Sequence, residues 1–237
     1  MRAYYNEKDP YAAQWLRNLE KAGHIAAGDV DERPIEAVSA DDLRGYTQCH
    51  FFAGVGGWSL ALRLAGWPAA RPVWTGSCPC QPFSKAGSQK GFADDRHLWP
   101  TWCALISECR PPTIFGEQVA GAWLWLDAVF SDLENHHYAC AAASMPAASV
   151  GAPHIRERLW FVAANAEGER RGTRLRQTET ERDWRLPRHG FGWPPAPDVP
   201  RVGDGLPGAV AKRRAFGNAI VPQVAAHFIA AFAEIDP

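Results

Sequence analysis

Cys80 stands between prolines in Pro79-Cys80-Gln81-Pro82-Phe83-Ser84, just after the β-favouring run Val73-Trp74-Thr75. Ligands of open α/β sheets bind outside the carboxyl ends of the strands, so a thiol there is a candidate nucleophile. A free thiol titrates near 8.5 and is only a few per cent thiolate at pH 7. A nucleophilic Cys80 therefore needs activation, for which arginines are candidates, whereas Cys78 reads as a packed side chain. Glu117 ends the apolar run Thr113-Ile114-Phe115-Gly116; an acid at such a place is either a solvated strand end or, in a pocket, a protonated hydrogen-bond donor. Arg156 and Arg158 alternate across the start of a strand, which directs both to one face. That suits an anion or a carbonyl oxygen, or an exposed salt bridge. Phe52-Ala53-Gly54-Val55-Gly56-Gly57 joins a strand-like run to a helical one. Its glycines allow a tight turn and close backbone approach to a nucleotide-type ligand.

These residues need a frame that brings them to one edge. Strands are expected at 2–6, 25–30, 46–52, 73–75, 113–117, 138–144 and 158–164, and helices at 10–22, 59–65, 98–109, 122–134 and 219–234. Alternation of this kind argues for an open α/β sheet, largely parallel. Residues 1–164 form the main domain, and the apolar stretch after 209 returns to it. The segment 165–208 differs, with seven arginines between 170 and 188 and the Pro-rich Trp193-Pro194-Pro195-Ala196-Pro197. About 45 residues cannot build a core of their own, so it is expected to rest on the main domain.

Composition bounds the answer further. A chain of 237 residues, 46% hydrophobic and 22% charged, fits one globular domain with a small appendage. The start is polar and charged, and no apolar run reaches the roughly 18 residues of a membrane span, so a cytosolic chain without membrane contact is expected. The six cysteines make no CxxC pairs, so neither a disulfide scaffold nor a metal site is expected. Residues 1–45 sum to −3 and residues 151–214 to +5. That asymmetry suits a polyanion on the C-terminal third as well as it suits a solvated surface.

Together these motifs form one signature, and the sequence resembles the DNA cytosine-C5 methyltransferases. Phe52-Ala53-Gly54-Val55-Gly56-Gly57 is similar to the family's cofactor loop, and Pro79-Cys80-Gln81-Pro82-Phe83-Ser84 to its nucleophile loop. Glu117-Gln118-Val119 stands where the family has Glu-Asn-Val, Arg156-Glu157-Arg158 matches its Arg-x-Arg, and Gly217-Asn218-Ala219-Ile220-Val221-Pro222 its C-terminal motif. The resemblance covers nearly the whole chain except about 165–200. One feature of order departs from the family. No acid follows the glycines at the distance where a ribose ligand would stand; instead Tyr5-Asn6-Glu7-Lys8-Asp9-Pro10 resembles the ribose motif and Gly28-Asp29-Val30 the adenine motif. The second and third strands thus come first in the chain, and strand 2–6 is expected beside strand 46–52. His50, Gln118 and His154 replace the family's Asp or Glu, Asn and Gln.

The resemblance implies a doubly wound, Rossmann-like fold, S-adenosyl-L-methionine as cofactor and double-stranded DNA as partner, with the chain acting as a monomer. In the implied reaction Cys80 adds to C6 of a flipped cytosine, protonated Glu117 holds N3 and the amino group, and Arg158 binds O2 with Arg156 in support. Phe52, Ala53, Gly54, Val55, Gly56, Gly57, Glu7, Asp29, Val30, Pro79, Asn218 and Ala219 would hold the cofactor. Gln81, Ser84 and Gln118 would meet DNA, together with Arg174, Arg176 and Arg185 of a target-recognition segment at 165–208. Two rivals stand beside this expectation: the same chemistry on tRNA, and a cofactor-binding DNA module without turnover. No residue names a target sequence or a cognate restriction endonuclease.

Overall fold

The computed structural model describes residues 2–79, 98–165 and 219–236. Its elements are β1 (Ala3–Asn6), α1 (Pro10–Lys21), β2 (Gly28–Asp31), β3 (Gln48–Phe51), α2 (Gly57–Leu64), β4 (Val73–Gly76), α3 (Trp99–Cys109), β5 (Thr113–Val119), α4 (Trp123–Asn135), β6 (Tyr138–Met145), β7 (Arg158–Asn165) and α5 (Pro222–Ala233). The strands form one sheet in the order β2-β1-β3-β4-β5-β7-β6. Pairing is parallel from β2 through β5, and β7 runs antiparallel to both of its neighbours. The sheet is therefore the mainly parallel, helix-covered arrangement expected of the alternating pattern.

Side chains alternate between two buried faces, as the period of a strand requires. Tyr4, Phe51, Trp74, Ile114, Leu159 and Phe161 pack under α3 and α4, where Trp99, Trp102 and Trp125 meet nearly edge to face. Val73, Phe115, Trp160 and Val162 point the other way, under Trp58 and Leu62 of α2 and Val224 and Ile229 of α5. Ala3 and Tyr5 pack with Leu16 of α1 and Ile25. Burying an aliphatic or aromatic side chain of this size contributes about 1.5–3 kcal/mol, which is why the C-terminal helix returns to the core.

The first strand of the chain lies beside the third, in the register Ala3↔Gln48 through Asn6↔Phe51. Local chemistry prepares that placement. Asp9 caps α1 by accepting from the Tyr11 and Ala12 amides at 2.9 and 3.1 Å, and Pro10 opens the helix. Among the boundaries that differ from the sequence expectation is the start of the second strand. The strand expected at 25–30 begins only at Gly28, because the His24 amide still donates to Leu19 O at 2.9 Å while Ile25 turns into the core. Gly28 then runs so close to β1 that a Cβ there would sit 1.9 Å from the Ala3 carbonyl oxygen. Among the described residues, no helix is long and apolar enough to cross a membrane.

Candidate active site

Glu117 lies near the carboxyl end of β5, on the sheet face shared with Phe115 and Trp58, and is 7% exposed. Arg158, the first residue of β7, sets its Nε 3.0 Å from Glu117 Oε1. Burial pushes the Glu117 carboxyl above the usual range, while Arg158, Arg156 and a hydrogen bond from the Ser77 hydroxyl oppose that rise. The net direction is upward, so the site favours a proton on this acid more than water does.

The two arginines do not share a strand face. Strand β7 starts at Arg158, and Arg156 precedes it with a φ of 31°. The Ala147 amide donates to Ile155 O at 2.6 Å, which folds this segment onto the short 3-10 turn Ala147–Val150. From there Arg156 Nη2 donates to the Ala219 carbonyl at 2.7 Å. Both guanidinium groups still act on Glu117, and burial together with Arg158 lowers the Arg156 pKa.

The glycine loop leaves β3 at the same edge. Phe52 takes a left-handed backbone (φ 51°) and meets Trp102 edge-on at 6.0 Å. The Gly54 amide donates to Glu7 Oε2 at 2.7 Å, and the Asp9 amide to Oε1 at 2.9 Å. Glu7 is thereby fixed beside the loop by two backbone donors. The Ala53 amide donates to Asn6 O at 3.0 Å, Val55 is half-buried, and Gly56 (φ 82°) caps α2. A Cβ on Gly57 would come within 2.6 Å of Ile220 Cγ1. Ala219 and Ile220 thus link the C-terminal segment to Arg156 on one side and to the glycine loop on the other.

A hollow of about 100 Å³ opens between these elements, lined among the described residues by Asn6, Glu7, Lys8, Ile35, Glu36, Phe52, Pro79 and Leu98. The lining combines a fixed carboxylate with flat apolar surfaces, which fits an adenosine: ribose hydroxyls can donate to Glu7, and Phe52 can cover a ring. S-adenosyl-L-methionine, which carries that group, therefore fits the residues present.

Asp29 and Val30 do not line this hollow. They lie within β2, and Asp29 accepts from Arg2 Nη2 at 2.6 Å and, through a very short hydrogen bond, from the Tyr46 hydroxyl. The lining at that end comes instead from Ile35 and Glu36, on a 3-10 turn after the strand. A Gly-Asp-Val string says nothing of strand phase, so sequence reasoning passed over both residues, as it did Lys8 and Leu98. Gln118, expected on the DNA side, is 2% exposed. Its Nε2 donates to the Cys78 carbonyl at 3.3 Å, and its Oε1 accepts from the Val119 amide at 2.9 Å. Cys80, Gln81, Ser84, Arg174, Arg176, Arg185 and Asn218 lie outside the described residues, as does all but the first residue of the segment 165–208.

Residues 72–188 match the family model of the C-5 cytosine-specific DNA methylases. The type II methyltransferase M.NgoMIV of Neisseria gonorrhoeae is 30% identical over 167 residues, covering 52% of this chain and 53% of that protein. The type II methyltransferase M.AluI of Cellulosimicrobium cellulans is 32% identical over 135 residues, covering 50% of this chain and 25% of that protein. The solved Dnmt2 methyltransferase of S. pombe aligns over 69% of this chain and 50% of its own, with 16% identity and a TM-score of 0.41. The chain thus spans from a quarter to about half the length of these curated relatives.

Proposed function

We propose, from the match of residues 72–188 to the C-5 cytosine-specific DNA methylases, that the chain is a member of that family and methylates C5 of cytosine in double-stranded DNA. The observation that carries the proposal is the buried Glu117–Arg158 pair, 3.0 Å apart, at the sheet edge where Pro79 leads into Cys80. Bound in the hollow, S-adenosyl-L-methionine would supply the methyl group as an electrophile. Glu7 would accept from the ribose hydroxyls, and Phe52, Ile35 and Pro79 would pack on the adenosine with Glu36 at its rim. The glycine loop and Ala219, with Asn218 beside it, would complete the cofactor side.

C5 of cytosine is a weak nucleophile hidden inside the duplex, so the base has to be flipped out at a cost of a few kcal/mol. The Cys80 thiolate would add to C6, pushing the ring electrons toward C5 and N3. Glu117 would meet that charge by donating its proton to N3 and accepting from the exocyclic amine, a task suited to an acid whose pKa burial has raised. Arg158 has hydrogen-bond donors besides the Nε facing Glu117 and would offer one to O2, while Arg156 fixes the segment through Ala219. After C5 has gained its methyl group, loss of the C5 proton expels Cys80 and restores the aromatic ring. Gln81, Ser84, Arg174, Arg176 and Arg185 are proposed to meet the duplex, phosphate contacts setting position and base contacts setting sequence.

Duplex DNA carrying 5-fluorocytosine tests the covalent route, because fluorine cannot leave C5 as a cation. With cofactor present, a denaturation-resistant protein–DNA adduct is expected from the native protein and none from Cys80→Ser. An equal adduct in both would assign the nucleophile elsewhere.

A further inference from the structure

A second polar side chain reaches Glu117 from the opposite side to the arginines. The parallel register pairs Gly76 of β4 with Gly116 of β5. The next residue of each strand is Ser77 and Glu117, so the two stand side by side on the Trp58 face of the sheet. Trp58 is the second residue of α2, just after the glycine loop, and is 2% exposed. Its Nε1 lies 3.1 Å from Ser77 Oγ. An indole N–H can only donate, so Ser77 must accept from it. The register sets that hydroxyl beside Glu117, so its single proton is left for the carboxyl, whose pKa the hydroxyl helps to hold down.

We propose that Ser77, its hydroxyl turned by Trp58 Nε1 at 3.1 Å, is a positioning residue that orients the Glu117 carboxyl toward the pyrimidine ring. This rests on the cytosine-methylation reading above. Glu117 needs one oxygen free to offer a proton and the other to accept from an amine. A carboxyl held only by Arg158 on Oε1 can rotate about its last torsion. A donor on the other side, itself locked by a buried indole, removes that freedom. The chain of bonds also runs from the helix behind the cofactor loop, through the first residue after β4, to the acid. Both proposed reactants' binding elements are thereby tied to one carboxyl. The charged groups facing Glu117 among the described residues are Arg158 and Arg156; α2 contributes the neutral Trp58 and β4 the neutral Ser77.

The test follows the Glu117 carboxyl by 13C NMR in protein labelled at glutamate, with Glu117→Gln to assign the signal. Ser77 donates to the charged form, so Ser77→Ala should move the titration of Glu117 upward by about half to one pH unit. Ser77→Thr, which keeps the hydroxyl, should titrate like the native protein. Trp58→Phe should give a smaller upward movement, and Ser77→Ala should add little to it, because the two act in one chain. In methyl transfer, Ser77→Ala should lower kcat about tenfold with an unchanged cofactor KM, and extend activity to higher pH. An identical Glu117 titration in native and Ser77→Ala protein would overturn the proposal, whether or not DNA is methylated. Failure of native protein to methylate cytosine would instead overturn the function on which it rests.

Discussion

At the scale of single residues, burial decides what the ionisable groups do. Glu117 carries a pKa raised above the ordinary 4.5. A buried acid with a raised pKa contributes stability that is fully present below its unfolded pKa and is lost as pH rises through its folded one. Glu117→Gln should therefore gain stability relative to the native protein as pH rises above about 4.5, and urea unfolding at several pH values checks this. The same change should lower methyl transfer by 100-fold or more while leaving cofactor affinity intact. His50 titrates in the opposite sense. It is wholly buried, its Nδ1 lies 2.7 Å from Thr75 Oγ1, and burial lowers its pKa to about 3 from 6.5. Stability linked to His50 is present above pH 6.5 and is lost as pH falls toward 3. Between pH 7.5 and pH 5 the loss should be about 2 kcal/mol, absent in His50→Gln. Part of this scale was legible in the sequence: Arg158 stands against Glu117, and Glu7 against the glycine loop at Gly54. Ser77 was not, because its partners depend on the register of β4 against β5 and on a tryptophan 19 residues away. Asp29 lies within β2 and not in the lining of the hollow, because a short string carries no information about the end of its strand.

At the scale of elements, close backbone approach explains why particular glycines stand where they do. Gly57 opens α2 against Ile220, and an added methyl group would meet Cγ1 at 2.6 Å. Gly57→Ala should thus cost about 1–3 kcal/mol by overpacking, although alanine is the better helix former. The combination with Ile220→Ala should cost less than the sum of the single changes, because removal of the Ile220 branch vacates the space. Thermal unfolding of the four proteins measures that coupling; strict additivity would show that the two elements do not press on one another. The strands were legible because apolar runs bounded by Gly, Pro and Asp mark them. The start of β2 was not, because Ile25 is apolar for the sake of the core beside α1 rather than for a place in the sheet.

Over the whole molecule, the sheet is ordered by adjacency in space rather than along the chain. Strand β1 lies between β2 and β3, and β3 lies between β1 and β4. Residues from the first ten positions, from the middle and from 219–220 converge on one edge, with Glu7 against Gly54 and Ile220 against Gly57. Helix α5 is the last piece of that frame, burying Val224, Ala225 and Ile229. A chain ending at residue 218 should lose its cooperative unfolding transition, as judged by near-UV circular dichroism on heating; a preserved transition would show that the core closes without α5. Cys80 and the arginine-rich segment are proposed to supply the nucleophile and the DNA contacts that this frame would support.

The central claim is that this edge methylates cytosine in duplex DNA. Incubation of mixed-sequence duplex with S-adenosyl-L-methionine labelled in its methyl group, followed by analysis of the bases, tests it most directly. Label is expected on C5 of cytosine with the native protein and none with Cys80→Ser or Glu117→Gln. Label on another atom, or no label from a protein that binds the cofactor, would contradict it.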